Sequence, residues 1–173
     1  NKKMNIGIRY ETQVDMEFTS DVKIDTVFGQ KDGEKSRNDI PALLSVGFSY
    51  HVNDKLRTEA DFTYYFVESA KTMEDNHKDA HDLSVAAWYQ LEEDITIAGG
   101  YSITERADND SRNSMSYDLD YSMISFGGEY NASENLMLMV GYSHYLYETA
   151  NGEDDFGSYT IDEEQFTLSF GFE

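Results

Sequence analysis

The residues of this 173-residue chain whose types could do chemistry are few and scattered. Arg57, Glu59 and Asp61 stand at every second position, so an extended segment would put all three charges on one side. That pattern suits a charged wall in which Arg57 is the group able to meet a carboxylate headgroup. The plainer alternative is a water-exposed wall with internal ion pairs. Trp88, Met137 and Met139 are aromatic or polarisable and could line a path for an apolar ligand, the alternative being ordinary packing. His77 and His81 have the spacing of two imidazole ligands on one helical turn, with Asp79 and Asp82 nearby. Nothing else supports zinc there, and a solvated loop is the better reading. Asp108 and Asp110 in "DNDSRN" have the spacing of half a calcium loop, without its central glycine or distal bidentate glutamate. Neither a metal nor a cofactor is expected. No Ser-His-Asp order, phosphate-binding glycine loop or strongly placed carboxylate pair occurs, so an enzyme is not expected either.

The elements that must position these groups are strands. "QFTLSFGFE" puts Phe166, Leu168, Phe170 and Phe172 on one face and Gln165, Thr167, Ser169 and Gly171 on the other. "LLSVGFSYHV", "DLSVAAWYQL", "ITIAGGYSI", "SMISFGGEY" and "LMLMVGYSHYLY" repeat the same period of two. Each has a bulky apolar face, and Gly, Ser and Thr dominate the second face. That second face is too small for a soluble core and carries too little charge for an ordinary surface. Phe48, Leu83, Val85, Ile97, Phe126, Leu138, Val140, Leu168 and Phe170 are therefore expected to face lipid. Ser49, His51, Ser84, Trp88, Ala98, Met139 and Ser169 are expected to face the interior.

Composition agrees with this and narrows the class. Mean hydropathy is -0.62, and no stretch reaches the roughly 18 apolar residues of a membrane helix. Alternating strands of a membrane barrel need no such stretch. The formal charge of -21 argues against nucleic acid as a partner. The absence of cysteine removes disulfides and thiolate metal sites. The chain starts at Asn1 rather than Met, the expectation being a processed or truncated product.

Connections alternate in length. Short ones lie at 52–55, 91–94 and 131–135, rich in Asn, Asp and Glu, and the Asn131-Ala132-Ser133 sequon falls in one of them. Long ones lie at 27–41, 67–82, 104–120 and 148–164. An all-β, antiparallel up-and-down transmembrane barrel gathers its long loops at one end in this way. Tyr50, Tyr64, Tyr65, Phe66, Tyr89, Tyr130, Tyr145 and Tyr147 stand near strand ends, as interfacial girdles would. The N-terminal stretch from Met4 to Phe28 is too long for one membrane strand, and a turn near Glu11–Asp15 would split it, giving about nine strands. The first would start at the loop end and the last would finish at the turn end.

Several phrases, in order, resemble a family. "NIGIRYE", "SDVKID", "IPALLSVGFSYHVNDKL" and "HKDAHDLSVAAWYQLEEDITIAGGYS" are similar to successive segments of FadL-type outer-membrane transporters for long-chain fatty acids and hydrocarbons. The resemblance spans nearly the whole chain. Glu173 after Phe172 departs from the family's aromatic ending. It implies that residues 1–173 form a single barrel segment, the C-terminal part of a 14-stranded barrel, with the N-terminal hatch and early strands absent. It implies passive transport of fatty acids or other hydrophobic small molecules across a Gram-negative outer membrane, with lateral release. Long loops would be extracellular and short turns periplasmic. The implied partners are outer-membrane lipid and lipopolysaccharide, the hydrophobic substrate, and the N-terminal part of the same barrel or another chain. Acidic runs at Glu153, Asp154, Asp155, Glu163 and Glu164 would solvate the outer loops or hold divalent cations against lipopolysaccharide. A general porin or a structural outer-membrane barrel subunit is the alternative.

The alternation makes one substitution pair decisive. Val140→Arg should lower folding stability in lipid vesicles by about 2–4 kcal/mol, whereas Ser143→Arg, on the other face, should be tolerated. Folding titrations giving equal tolerance at both positions would remove the lipid-facing assignment.

Overall fold

The computed structural model describes residues 3–22, 32–71, 78–107, 119–154 and 157–172. All regular structure in them is β. In chain order the strands are β1 (Met4–Glu11), β2 (Glu17–Thr19), β3 (Lys35–Arg37), β4 (Leu43–His51), β5 (Leu56–Tyr65), β6 (Ala80–Gln90), β7 (Ile95–Glu105), β8 (Tyr121–Ser133), β9 (Leu136–Tyr147), β10 (Ala150–Asp154), β11 (Gly157–Ile161) and β12 (Glu164–Phe172). Eight of them form one antiparallel meander in the order β1-β4-β5-β6-β7-β8-β9-β12. The other four make two short hairpins, β2-β3 and β10-β11, within the long connections.

This corrects the expected strand count and orientation. The N-terminal stretch supplies one strand to the sheet, not two, because β1 pairs directly with β4 from Met4↔Tyr50 to Glu11↔Leu43. Beyond Glu11 the chain belongs to the loop end, where Val14 bridges Ile40 and Glu17–Thr19 pairs with Lys35–Arg37. The unbroken alternation through Thr12, Val14 and Met16 continues an extended chain but not the membrane ladder. β1 therefore begins at the turn end, where β12 finishes.

The register runs without slippage from Leu43 to Gln90 and on through β7, so outward residues stand beside outward residues across the wall. One outer row reads Tyr89, Ile97, Gly128, Val140, Phe170. The polarity of exposure is the reverse of a soluble protein's. Phe126 is 61% exposed and Val140 49%, while inward Ser125, Gly127, Met139 and Gly141 are half-buried. A wall curved with its small residues inside produces this, since side chains splay on the convex face and crowd on the concave one. All nine residues expected to face lipid are exposed and share that outer parity. Ionisable groups reach the outer face near the loop end, in cross-strand pairs: His81 with Glu105 at 3.5 Å and His144 with Glu164 at 2.6 Å.

The tight turns follow their sequences. Asn53 Oδ1 accepts from the backbone N–H of Lys55 and of Leu56, both at 2.9 Å, closing the β4–β5 turn. β8 runs on to Ser133 with an irregularity between Asn131 and Ser133, so its turn is shorter than the sequence suggested.

Among the described residues, burial is concentrated at the loop end. Ala42, Ala80, Thr104, Leu119 and Ala150 are buried where strands meet the long connections, together with Asp39. Asp39 is the knot of this cap. Its carboxylate accepts from the N–H of Met16 (3.0 Å), the N–H of Lys71 (3.1 Å), Gln13 (3.1 Å) and Arg37 (2.6 Å), and Arg37 also reaches Asp15 at 2.8 Å. Three separate segments are tied by one side chain. Burial pushes the Asp39 carboxyl up, but the Met16 N–H, the Arg37 guanidinium and the Lys71 N–H outweigh it and hold it below the usual aspartate range.

A depressed carboxyl contributes stability above its unfolded value, which is lost as pH falls through the folded one. Hydrogen exchange should show the Met16 and Lys71 amides protected at neutral pH and released only once the pH has fallen below the usual aspartate range, with β6 and β7 amides still protected. Asp39→Asn should loosen both amides at pH 7. Protection unchanged in that variant would show that the cap does not hang on this carboxylate.

Candidate functional site

The inner wall is the surface able to meet a solute, and its chemistry is divided. Arg57, Glu59, Asp61 and Asp82 all lie on β5 and β6. The inner faces of β7, β8 and β9 carry Ala98, Gly100, Ser125, Gly127, Gly141 and Ser143, with tyrosines at the loop end and Met139 toward the turn end.

Arg57 and Trp88 are direct cross-strand partners, and the guanidinium lies 4.3 Å from the indole ring centre. Arg57 Nε also approaches Glu59 Oε1 at 3.5 Å. The three charges on β5 therefore do share a face, and the arginine is held between an aromatic plate and a carboxylate. Asp61 leans over Gly47, where an added Cβ would lie 2.6 Å from its Oδ1. Met137 pairs with Asn131, and Met139 with Glu129 and Gly171. Met139 fits because Gly171 has no side chain: an added Cβ there would lie 3.1 Å from the Met139 methyl. The four candidates thus form two groups, Arg57–Trp88 and Met137–Met139. A shallow bay of about 230 Å³ lies between them, lined by Trp88, Ala98, Gly100, Gly127 and Gly141.

A larger hollow, about 620 Å³, is on the opposite face around Gly128, between Ile97 and Val140. Its walls are the apolar outer row, so acyl chains fill it in a bilayer.

Among the described residues of the histidine–aspartate cluster, His81, Asp79 and Asp82 do not come together. His81 and Asp82 belong to β6, not to a loop, and successive strand residues point to opposite faces, His81 outward and Asp82 inward. Asp79 instead accepts from the Tyr64 hydroxyl (2.8 Å) and the Glu68 N–H (2.9 Å). Among the described residues no group of three or more metal-ligating side chains occurs. His77, Asp108, Asp110 and Asp155 lie outside the described residues.

Sequence reasoning missed the aromatic shelf. Tyr65, Tyr145 and Tyr147, expected in a lipid-facing girdle, have inward parity, paired with Ala80, Met123 and Tyr121 respectively. Tyr121 packs on Tyr147 at 5.2 Å and on Tyr145 at 5.7 Å between ring centres. Tyr147 donates to Gln165 Oε1 at 3.3 Å. The signal was present: Tyr145 and Tyr147 share parity with Met139 and Ser143. Tyr50, Tyr64, Tyr89 and Tyr130 keep the outward parity expected of a girdle.

Comparison with known proteins matches residues 3–173 to the family described as "Outer membrane protein beta-barrel domain". Outer membrane protein P1 of Haemophilus influenzae is 24% identical over 161 residues, which cover 83% of this chain and 35% of that protein. Among solved structures, the P. putida toluene transporter TodX superimposes with a TM-score of 0.68 at 16% identity, over 99% of this chain and 45% of that one. A Pseudomonas aeruginosa FadL homologue gives 0.66 at 15% identity, over 99% and 48%. The chain spans less than half the length of each.

Trp88 is the one tryptophan in the chain and reports the inner wall directly. Acrylamide in water should quench it, and brominated lipid should not. Arg57→Ala should raise acrylamide quenching and lower stability by about 0.5–1 kcal/mol, the worth of an exposed cation–π contact. Quenching of Trp88 by brominated lipid would place it on the wrong face.

Proposed function

This chain belongs to the family of outer membrane protein beta-barrel domains, and from that premise we propose passive transport of hydrophobic small molecules, long-chain fatty acids among them, with lateral release into the bilayer. The observation that carries the proposal is the divided inner wall. Along β8 and β9 a solute meets Tyr121, Tyr145 and Tyr147, then glycine and serine, then Met139, with Glu129 as the acidic group on that side. Such a track wets poorly and lets a flat or flexible apolar molecule slide without strong binding at any one point. The fold likeness to proteins described as a toluene transporter and a FadL homologue supports the same reading. No covalent chemistry is required, because an apolar solute moves down its own gradient once the polar outer leaflet is bypassed.

On this reading Trp88, Met137 and Met139 flank the path and Arg57 stands where a carboxylate headgroup would be met. β1 and β12 each have one hydrogen-bonded neighbour in the sheet. Their open edges would be paired by the N-terminal part of the same barrel or by another chain, since unpaired backbone in lipid costs several kcal/mol per group. The long acidic connections would face outward, against lipopolysaccharide, and the short turns the periplasm. A general porin is the second reading, favoured by Glu59, Asp61 and Asp82 on β5 and β6, which would line water comfortably.

The full-length protein in proteoliposomes separates the two. Uptake of a fluorescent fatty acid should exceed that of empty vesicles, and Met139→Glu should reduce it by roughly tenfold, since replacing the apolar partner of Glu129 with a second carboxylate costs a passing solute on the order of 1–2 kcal/mol. Ion conductance with no fatty-acid uptake would favour the porin.

A further inference from the structure

Glycine interrupts the outer apolar rows of the sheet at Gly99 on β7 and at Gly128 on β8. The first gap is closed. The Phe126 ring leans over Gly99, where an added Cβ would lie 3.6 Å from it. The second gap stays open. A Cβ added at Gly128 would have one atom within 4 Å, the Thr96 carbonyl oxygen at 3.4 Å, and no side chain. Around Gly128 lies the outer hollow of about 620 Å³, a volume within the range of small-molecule sites. Ile97 and Val140 form its sides, Tyr130 and Leu138 its turn end, and Phe170 and Phe172 its wall on β12. An even row of side chains gives a lipid tail contact on one side only. A missing side chain between bulky neighbours gives a single tail contact on three sides.

The charge at the turn end of the hollow decides which lipid fits. Ile95 and Tyr130 are cross-strand partners there. One step further out, the Asn131 N–H donates to the Asp94 carbonyl at 2.9 Å. The two turns beyond carry Glu92, Glu93, Asp94 and Glu134, and neither turn has a lysine or arginine. Glu92, Glu93 and Glu134 are exposed. Lys55, in the β4–β5 turn, stands beyond β6, opposite Gln90. Glu129 has inward parity and turns its carboxylate to the other face. A tail in the hollow brings its headgroup to these turns. There an anionic headgroup meets like charge, whereas an ammonium offers three N–H donors to carboxylates. The phosphates of lipopolysaccharide are disfavoured on the same ground. We infer that the Gly128 hollow is a lipid site holding one acyl chain of a phospholipid with a primary ammonium headgroup, of the phosphatidylethanolamine class. The chain lies over Gly128 between Ile97 and Val140, Tyr130 stands at the interface, and the ammonium reaches the turn carboxylates. The site is on the outer face, so it stands whether the barrel carries fatty acids or ions.

The test uses the full-length protein in detergent micelles at neutral pH, titrated with dioleoyl phosphatidylethanolamine or dioleoyl phosphatidylglycerol. Native mass spectrometry counts the lipids retained. The first lipid bound should favour the ethanolamine headgroup by about threefold or more, the scale of one exposed ion pair. Gly128→Leu fills the hollow and should lower ethanolamine-lipid retention by about fivefold or more, as the loss of one or two buried methylenes requires. Gly128→Ala adds a single methyl and should keep most of that retention. Asp94→Asn combined with Glu134→Gln should bring the two lipids to equal retention. This pair lies outside the outer apolar rows, so it decides the inference even where Gly128→Leu folds poorly. Equal retention of the two lipids by the unaltered protein would make the hollow an ordinary lipid-facing surface and overturn the inference. Stronger retention of phosphatidylglycerol would do the same. An ethanolamine-lipid adduct unchanged in folded Gly128→Leu would seat the lipid elsewhere, and a preference surviving the turn pair would remove the acidic turns as its cause.

Discussion

Backbone pairing is the constraint on which the rest of this molecule depends. Each amide and carbonyl inside a hydrocarbon layer needs a partner, because water is not there to supply one. The eight-stranded meander meets that need between neighbours, strand after strand, in continuous antiparallel register. Once the ladder is fixed, parity settles which face every side chain takes. The apolar rows then stand outward with no charge among them except paired groups near the loop end. The inner rows are free to be small, polar or aromatic. Stability here is a property of the ladder and the lipid, not of a buried core.

The burial that does occur is placed accordingly. Four small or medium apolar residues and the Asp39 carboxylate are covered at the loop end. There the chain leaves the ladder and must be organised by other means. Asp39 joins the segment after β1, its own segment and the one after β5, so the mouth of the wall is shaped by a charge network rather than by packing. The tyrosine shelf of Tyr121, Tyr145 and Tyr147 lies at the same loop end of the wall.

Much of the wall was legible in the sequence, for a physical reason. A period of two has only two phases, so one correct strand such as Phe166–Phe172 fixes the facing of its neighbours. The outward set and the pairing of Arg57, Glu59 and Asp61 on one face followed directly. What was not legible depended on where ladders stop. Nothing local distinguishes Thr12–Met16, extended outside the sheet, from Ile6–Tyr10, extended within it; the difference is the partner strand. His81 and Asp82 looked like loop residues because their neighbours are charged, yet β6 begins at Ala80. Tyr145 and Tyr147 were read by position near a strand end when parity, already available, pointed them inward. The contact of Arg57 with Trp88 required the β5–β6 register, which sequence alone leaves open.

The alternation has a further consequence for the chain before it folds. A polypeptide bound for an outer membrane must first cross an inner one and then a watery compartment. Any window of some 19 largely apolar residues would be captured as a helix on the way. Here polar or tiny residues interrupt the apolar ones before any run reaches that length, and the mean hydropathy of -0.62 together with a charge of -21 makes the extended chain a hydrated polyanion. The greasy surface exists only after pairing has sorted the two parities onto opposite sides. The same period of two that builds a lipid-facing wall thereby conceals it in transit.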